Sequence, residues 1–387
     1  MFSKRTPADF SENALARRIA EKRKLDERIL DLTESNPTRA GFPAPPELLR
    51  LLGNPEGARY APDARGLRSA REAVSRDFST RGLTVGADRI LLTASSSESY
   101  SLLFKLLAEP GDEVLVPVPS YPLFSYLADL DSVRVTPYPL SFDHEWHLSL
   151  DGLRDLVSDR TRAVVVVHPN NPTGSFLKRD EAKALASWCA EQGLALIADE
   201  VFADFALSED PRRHPSFALD SPALAFALGG LSKSCALPQM KVGWIACSGP
   251  KALRDEALTR LEFIADTYLS VATPIQLALP GILEQKAALQ APIKARLGRN
   301  LAALREALRS HPELRLLPIE GGWSALIQCP ATRGDEERAL DALEASVLVH
   351  PGHFFDFESG CYLVASLLCE PAVFDEALPA LMNAAVR

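Results

Sequence analysis

The sequence predicts an α/β architecture, with a mostly parallel central sheet, helices on both faces, and a smaller α+β part beside it. Three observations predict it. From about residue 64, short apolar runs alternate with stretches of helical periodicity. AVVVV (Ala163–Val167) is continuous and β-branched, the pattern of a strand covered on both faces. After about residue 275 the pattern changes to a long amphipathic helix, four short strands and a terminal helix. A chain of 387 residues accommodates a large domain with a smaller companion.

Residues 1 to about 30 read as a polar helical arm, with Leu15, Ile19 and Leu25 as a weak apolar stripe. DLTESNPTRAGFPAPPELL brings Pro37, Pro43, Pro45 and Pro46, so it is an irregular crossing. A helix is expected over Ala64–Phe78, a strand over Arg89–Thr93, and a serine-started helix over Ser96–Leu107. Glu113–Pro117, SVRVTPY and Ala163–Val167 read as strands, Asp180–Gln192 as a helix, and Leu194–Asp199, Ala223–Leu228 and Lys241–Cys247 as further strands. The second part holds a helix over Ile293–Ser310, the strands LRLLP, WSALIQ, VLVHP and CYLVASLL, and a helix over Ala372–Val386.

Composition narrows the function classes. With 47% hydrophobic and 24% charged residues the chain is an ordinary globular one. The net charge of −9, with no basic block, argues against a nucleic-acid or anionic-membrane partner. No apolar signal core or membrane-length stretch is present, and the six cysteines, none in a C-x-x-C spacing, read as buried free thiols. A cytoplasmic protein fits these features.

In sheets of this kind ligands sit at the C-terminal strand ends, and four such ends carry polar residues. In TASSSE, Ser96 and Ser97 stand where a helix begins; they read as an N-cap or as an anion site suited to a phosphate. HPNNPTG places Asn171 after AVVVV, either in a simple turn or as a donor at the crevice edge. Asp199 ends an apolar strand, where a carboxylate needs a helix terminus, an ion pair or a cationic ring nitrogen. Lys233 comes after a buried strand and a glycine pair; a lysine there is a solvated surface group or an amine able to form a Schiff base with an aldehyde. Ser232 and Lys241 could meet a phosphate nearby. One ligand satisfies all four ends, with an aldehyde, a cationic nitrogen, a hydrogen-bonding oxygen and a phosphate: pyridoxal phosphate.

With these residues the sequence resembles the class I aminotransferases of the fold-type I pyridoxal-phosphate enzymes. The matching segments are YAPDARG (Tyr60–Gly66), TASSSE, PSYP (Pro119–Pro122), NNPTG (Asn170–Gly174), DEVF (Asp199–Phe202), Ser232-Lys233, KVGW (Lys241–Trp244) and PGHF (Pro351–Phe354), in the family's order. The resemblance implies a large cofactor-binding domain over 36–281 and a small domain formed by 1–35 and 282–387. It implies that Lys233 bonds the cofactor aldehyde and moves protons, that Asp199 pairs with the ring nitrogen, and that Asn171 bonds the phenolic oxygen. Tyr121 would stack on the ring; Ser96, Ser97, Ser232 and Lys241 would hold the phosphate. Tyr60 would reach the phosphate of a neighbouring subunit, making a homodimer with shared active sites.

Three departures from the family stand out. Phe202 replaces the usual Tyr, so the lysine-bound cofactor should keep its proton to higher pH than in a Phe202→Tyr protein. Gly230 and Lys241 stand where Ser or Thr and Arg are usual, which removes a bidentate fork from the phosphate. Val364 occupies the position of the Arg that clamps the substrate carboxylate. Either another cation replaces it, with Arg39 (after Ser35 and Asn36), Arg65 and His353 as candidates, or the substrate has no carboxylate there. The expected reaction is transfer of an amino group from an amino acid or amine to an oxo acid. A β-eliminating lyase or decarboxylase would use the same lysine and ring. A cofactor-binding regulator without turnover would need a DNA-binding module, for which the roughly thirty residues before the core are too few.

Overall fold

The computed structural model describes residues 2–387. Helix α1 (Ala14–Lys24) begins at Asn13, whose side chain accepts from the Ala16 N–H. Leu15 is buried, but Leu25 lies beyond the helix and is 68% exposed, so the apolar stripe ends at Ile19. Strand β1 (Leu30–Asp31) precedes the proline-rich crossing, which holds the short α2 (Pro46–Arg50). The helix expected from Ala64 starts later, as α3 (Arg68–Thr80). Gly66 turns the chain at φ +88° against Leu92, whose side chain would lie 2.6 Å from a Cβ there.

The alternating region comprises β2 (Ile90–Thr93), α4 (Ser96–Leu107), β3 (Glu113–Val118), α5 (Leu123–Leu130), β4 (Arg134–Asp143), β5 (Glu145–Leu148), α6 (Leu150–Arg154), β6 (Thr161–Val167), α7 (Arg179–Gln192), β7 (Ala195–Asp199), β8 (Ala225–Gly230), α8 (Leu231–Ser234) and β9 (Gly243–Ser248). Helices α9 (Lys251–Asp266) and α10 (Thr273–Glu284) were not among the expected elements. The eight strands form one sheet in the order β2-β9-β8-β7-β6-β3-β4-β5, antiparallel only where β9 and β5 join it.

Strand pleating explains the continuous apolar runs. In β6, Val164 and Val166 enter one core while Ala163, Val165 and Val167 enter the other; in β7, Leu196 and Ala198 oppose Ala195 and Ile197 in the same way. The first core is closed by α3, α7 and α10, the second by α4, α5 and α9. Helices on both faces leave the C-terminal strand edge as the place where polar side chains collect.

The remaining elements are α11 (Lys286–Leu308), β10 (Arg315–Leu316), β11 (Ser324–Cys329), α12 (Asp335–Glu344), β12 (Val347–Leu348), β13 (His350–Pro351), β14 (Cys361–Ser366) and α13 (Pro371–Val386). VLVHP is therefore two pieces, because β12 pairs with β1 and β13 with β14. A four-stranded antiparallel sheet, β10-β11-β14-β13, packs with α12 and α13 around its own core.

One corner joins this sheet to the large one. Lys178 Nζ lies 2.7 and 2.8 Å from the two Glu320 carboxylate oxygens. The Leu207 N–H donates to Glu320 O and the Gly322 N–H to Phe205 O, at 2.8 and 3.0 Å. The six cysteines are free and buried. Among the described residues no helix is long and apolar enough to cross a membrane.

Candidate active site

The C-terminal ends of β2, β6, β7 and β8 face β11 and β14 across a cavity of about 270 Å³. Ser96, Ser97, Tyr121, Asn171, Asp199, Phe202 and Lys233 line it together, brought there by the stretches that end or succeed the strands.

Asp199 is the last residue of β7, set in register with Val167 of β6. Its Oδ1 accepts from the Val201 N–H at 3.1 Å and its Oδ2 from the Tyr100 hydroxyl at 3.2 Å. Burial nevertheless raises its pKa to about 6; the two hydrogen bonds and the charge of Lys233 oppose this. Among the described residues no Lys or Arg pairs with Asp199. The same burial, with the nearby carboxylate, pushes the Tyr100 hydroxyl well above its ordinary range. Glu200, the next residue, faces the core instead, bonded by Ser216 Oγ and the Phe217 N–H at 2.8 and 2.7 Å.

Lys233 sits on the single turn α8, directly after β8. Its Nζ lies 5.4 Å from the ring centre of Phe202 and 5.1 Å from that of Trp323, which meet edge to face. Burial lowers its pKa, against the opposing pull of Asp199. A lysine with a lowered pKa carries a larger share of free amine, which is both nucleophile and base.

Helix α4 is capped by Ser95, whose Oγ accepts from the Glu98 N–H. The amides of Ser96 and Ser97 open the helix, where no carbonyl of an earlier turn can take them. They form a natural seat for an anion in the cavity that also holds the Lys233 amine. Asn171 is held by Ser324, whose hydroxyl donates to Asn171 Oδ1 at 3.1 Å and leaves the amide nitrogen as donor.

Of the other expected residues, one reaches the cavity of the single chain and the rest lie elsewhere. Ser35 lines the cavity, whereas Asn36 turns its side chain back to Thr38, accepting from its N–H and Oγ1. Arg39 pairs with Glu34 at 2.7 Å and Arg65 with Glu262 at 2.7 Å. His353 pairs with Asp335 at 2.9 Å and lines a neighbouring cavity of about 450 Å³ that shares Tyr121 and Phe124 with the first. Ser232 and Lys241 are not part of the cavity wall; Lys241 is exposed, at φ +51°, before β9. Tyr60 is 81% exposed and borders a different cavity.

Sequence reasoning missed Tyr100, Thr33, Trp323, Ser324, His350, Phe355 and Ser366, all of which line the site. Tyr100 had a usable signal, since it stands one helical turn after Ser96 on the same face.

A basic amine, a buried carboxylate lacking a protein cation, and an anion seat together define a lysine-centred cofactor site on an α/β fold. Residues 28–365 match the family model of the class I and II aminotransferases, and the chain belongs to that family. It is 31% identical over 266 residues to a glutamate–pyruvate aminotransferase of Escherichia coli, covering 67% of this chain and 65% of that protein's length. It is also 31% identical to an S-alkyl-thiohydroximate lyase of Arabidopsis thaliana, over 67% of this chain and 58% of that protein. The fold superposes on an aminotransferase from Escherichia coli with TM-score 0.84 and 25% identity over 98% of each chain. An alanine aminotransferase from Pyrococcus furiosus gives 0.87 at 24% identity over 99% of each. The family's cofactor is pyridoxal 5′-phosphate, and the donor set fits it: the carboxylate suits a ring nitrogen cation, the α4 amides a phosphate, the lysine an aldehyde.

Proposed function

We propose that the chain is a pyridoxal-phosphate-dependent aminotransferase, moving an amino group between an amino acid or amine and an oxo acceptor. The observation that carries this reading is one cavity holding both a lysine with a lowered pKa and a carboxylate buried without a protein cation. The cofactor, when bound, supplies an aldehyde that takes up amines and a ring that accepts the electron pair released at the amino-bearing carbon.

The chain's own groups do the rest. Lys233 would anchor the cofactor and, once released, carry a proton to and from the donor's amino-bearing carbon at Nζ. Asp199 would keep the ring nitrogen protonated. Asn171 Nδ2 would donate to the phenolic oxygen, and Tyr121 and Phe202 would enclose the ring. Ser96 and Ser97 would hold the phosphate, with Ser232 on α8 and Lys241 just before β9 closing on it from outside the cavity wall. The exposure of Tyr60 supports its reaching the site of a second copy, hence a homodimer with shared active sites. We also place the protein in the cytoplasm, as its reduced, buried thiols suggest.

Mixing the cofactor-loaded protein with a panel of amino acids and amines tests this reading. The expected result is loss of the aldehyde absorbance with one equivalent of oxo product, reversed by adding an oxo acid. Absence of any conversion across the panel would overturn it. Likeness to a lyase supports a second reading, in which oxo product accumulates over many turnovers with no acceptor added.

A further inference from the structure

We propose that the amino donor of this site carries no carboxylate on its amino-bearing carbon: it is a primary amine whose neutral, apolar substituent rests against Val364. The proposal builds on the aminotransferase reading and names its substrate class.

Positive charge is scarce in the part of the cavity that this chain's described residues build. Lys233 is the single Lys or Arg among the residues lining it, and that amine is committed to the chemistry. His350, opposite Val364 in the β13–β14 register, also lines it, and burial lowers its pKa toward the neutral form. The candidate cations from the sequence are paired: Arg39 with Glu34, Arg65 with Glu262, His353 with Asp335.

Neutral donors do not fill the gap. The Thr33 hydroxyl donates to Asp31 at 2.6 Å, that of Ser366 to Glu34 O at 2.7 Å, and that of Ser324 to Asn171 at 3.1 Å. Their protons are already placed. The exposed Ser35 hydroxyl, the Tyr121 hydroxyl and the Trp323 indole N–H, the last buried without a partner, remain; these neutral donors suit a hydroxyl or carbonyl oxygen better than a full negative charge.

The wall itself is apolar. Val364 is 2% exposed and packs with Trp146, Leu317, Leu326 and Phe355. A carboxylate against it would lose its water and gain no cation. The adjoining cavity, which shares Tyr121 and Phe124, is bordered by the acids Asp356 and Glu358, both exposed. Glu358, and Asp356 although burial raises its pKa, favour an ammonium ion over a carboxylate beside that cavity.

The experiment uses the cofactor-loaded protein in two arms. In the first, benzylamine and 3-phenylpropylamine are compared with L-phenylalanine, L-alanine and L-glutamate for the rate of aldehyde loss. The amines are expected to react at least about tenfold faster, since a carboxylate entering the cavity gives up its hydration for no cation. Faster reaction of any of the amino acids would overturn the proposal. If no donor reacts, the aminotransferase reading falls, and the second arm still decides the point.

That second arm is calorimetric binding of unreactive probes, 3-phenylpropanamide against 3-phenylpropionate. Tighter binding of the amide supports the proposal, and tighter binding of the carboxylate overturns it. Val364→Arg should strengthen carboxylate binding about 10- to 100-fold. Val364→Thr, of nearly equal volume, should leave the amide preference in place and serves if the arginine variant does not fold.

Discussion

Lys286 and Lys233 both bring an amine into the interior, and their company differs. Lys286, at the start of α11, lies 2.5 Å from Asp77 and 3.1 Å from Asp204, so its charge is matched by two carboxylates from α3 and the turn after β7. Lys233 is flanked by the rings of Phe202 and Trp323, with Asp199 as a weaker influence, and its pKa is lowered. The first arrangement joins three elements. The second leaves the amine free to give its proton up. Burial alone does not make a lysine chemical; burial without a close acid does.

Replacing each lysine separates the two roles. Lys233→Ala should reduce turnover by about 10²- to 10⁴-fold, the range of a lost acid–base group, with little change in the urea midpoint. Lys286→Met should do the reverse. It strands Asp77 and Asp204 and should cost about 3–5 kcal/mol in chemical denaturation, with residual turnover in whatever fraction stays folded. A Lys286→Met protein of unaltered stability would break the comparison.

Asp199→Asn sharpens it, because its effect should change sign with the cofactor. Below about pH 4 the Asp199 carboxyl is protonated in folded and unfolded chains alike; through the window up to about pH 6 only the folded chain keeps the proton. Stability therefore falls as pH rises through that window, and the penalty persists above it. Removing the acid should stabilise the cofactor-free protein at neutral pH by up to about 3 kcal/mol, seen as a raised thermal midpoint. The same variant should bind the cofactor about 10- to 100-fold more weakly, measured by equilibrium dialysis, since a charged hydrogen bond is lost. The smallest effect is that of Phe202→Tyr. A hydroxyl there should lower the pH midpoint of the cofactor's absorbance change by about one unit.

The strand ends were legible because a fully buried parallel strand announces itself in sequence, and the residues just beyond it must lie at the open edge. Asp199, Lys233, Asn171 and the two α4 serines came from that rule, and the cavity contains them all. The opposite wall was harder to read. Trp323, Phe355 and His350 sit in short pieces whose sequence resembles ordinary core, and their facing the cavity depends on a pairing of distant strands. The pairings made by the candidate cations were hidden for a related reason. Arg65 meets Glu262 nearly two hundred residues away and His353 meets Asp335 across a helix start, pairings that no local pattern encodes.

The corner fastened by Lys178 and Glu320 and the hydrogen bond from Ser324 to Asn171 are two polar ties between the small sheet and the large one. Parting the two sheets at these points would break a half-shielded ion pair as well as a hydrogen bond.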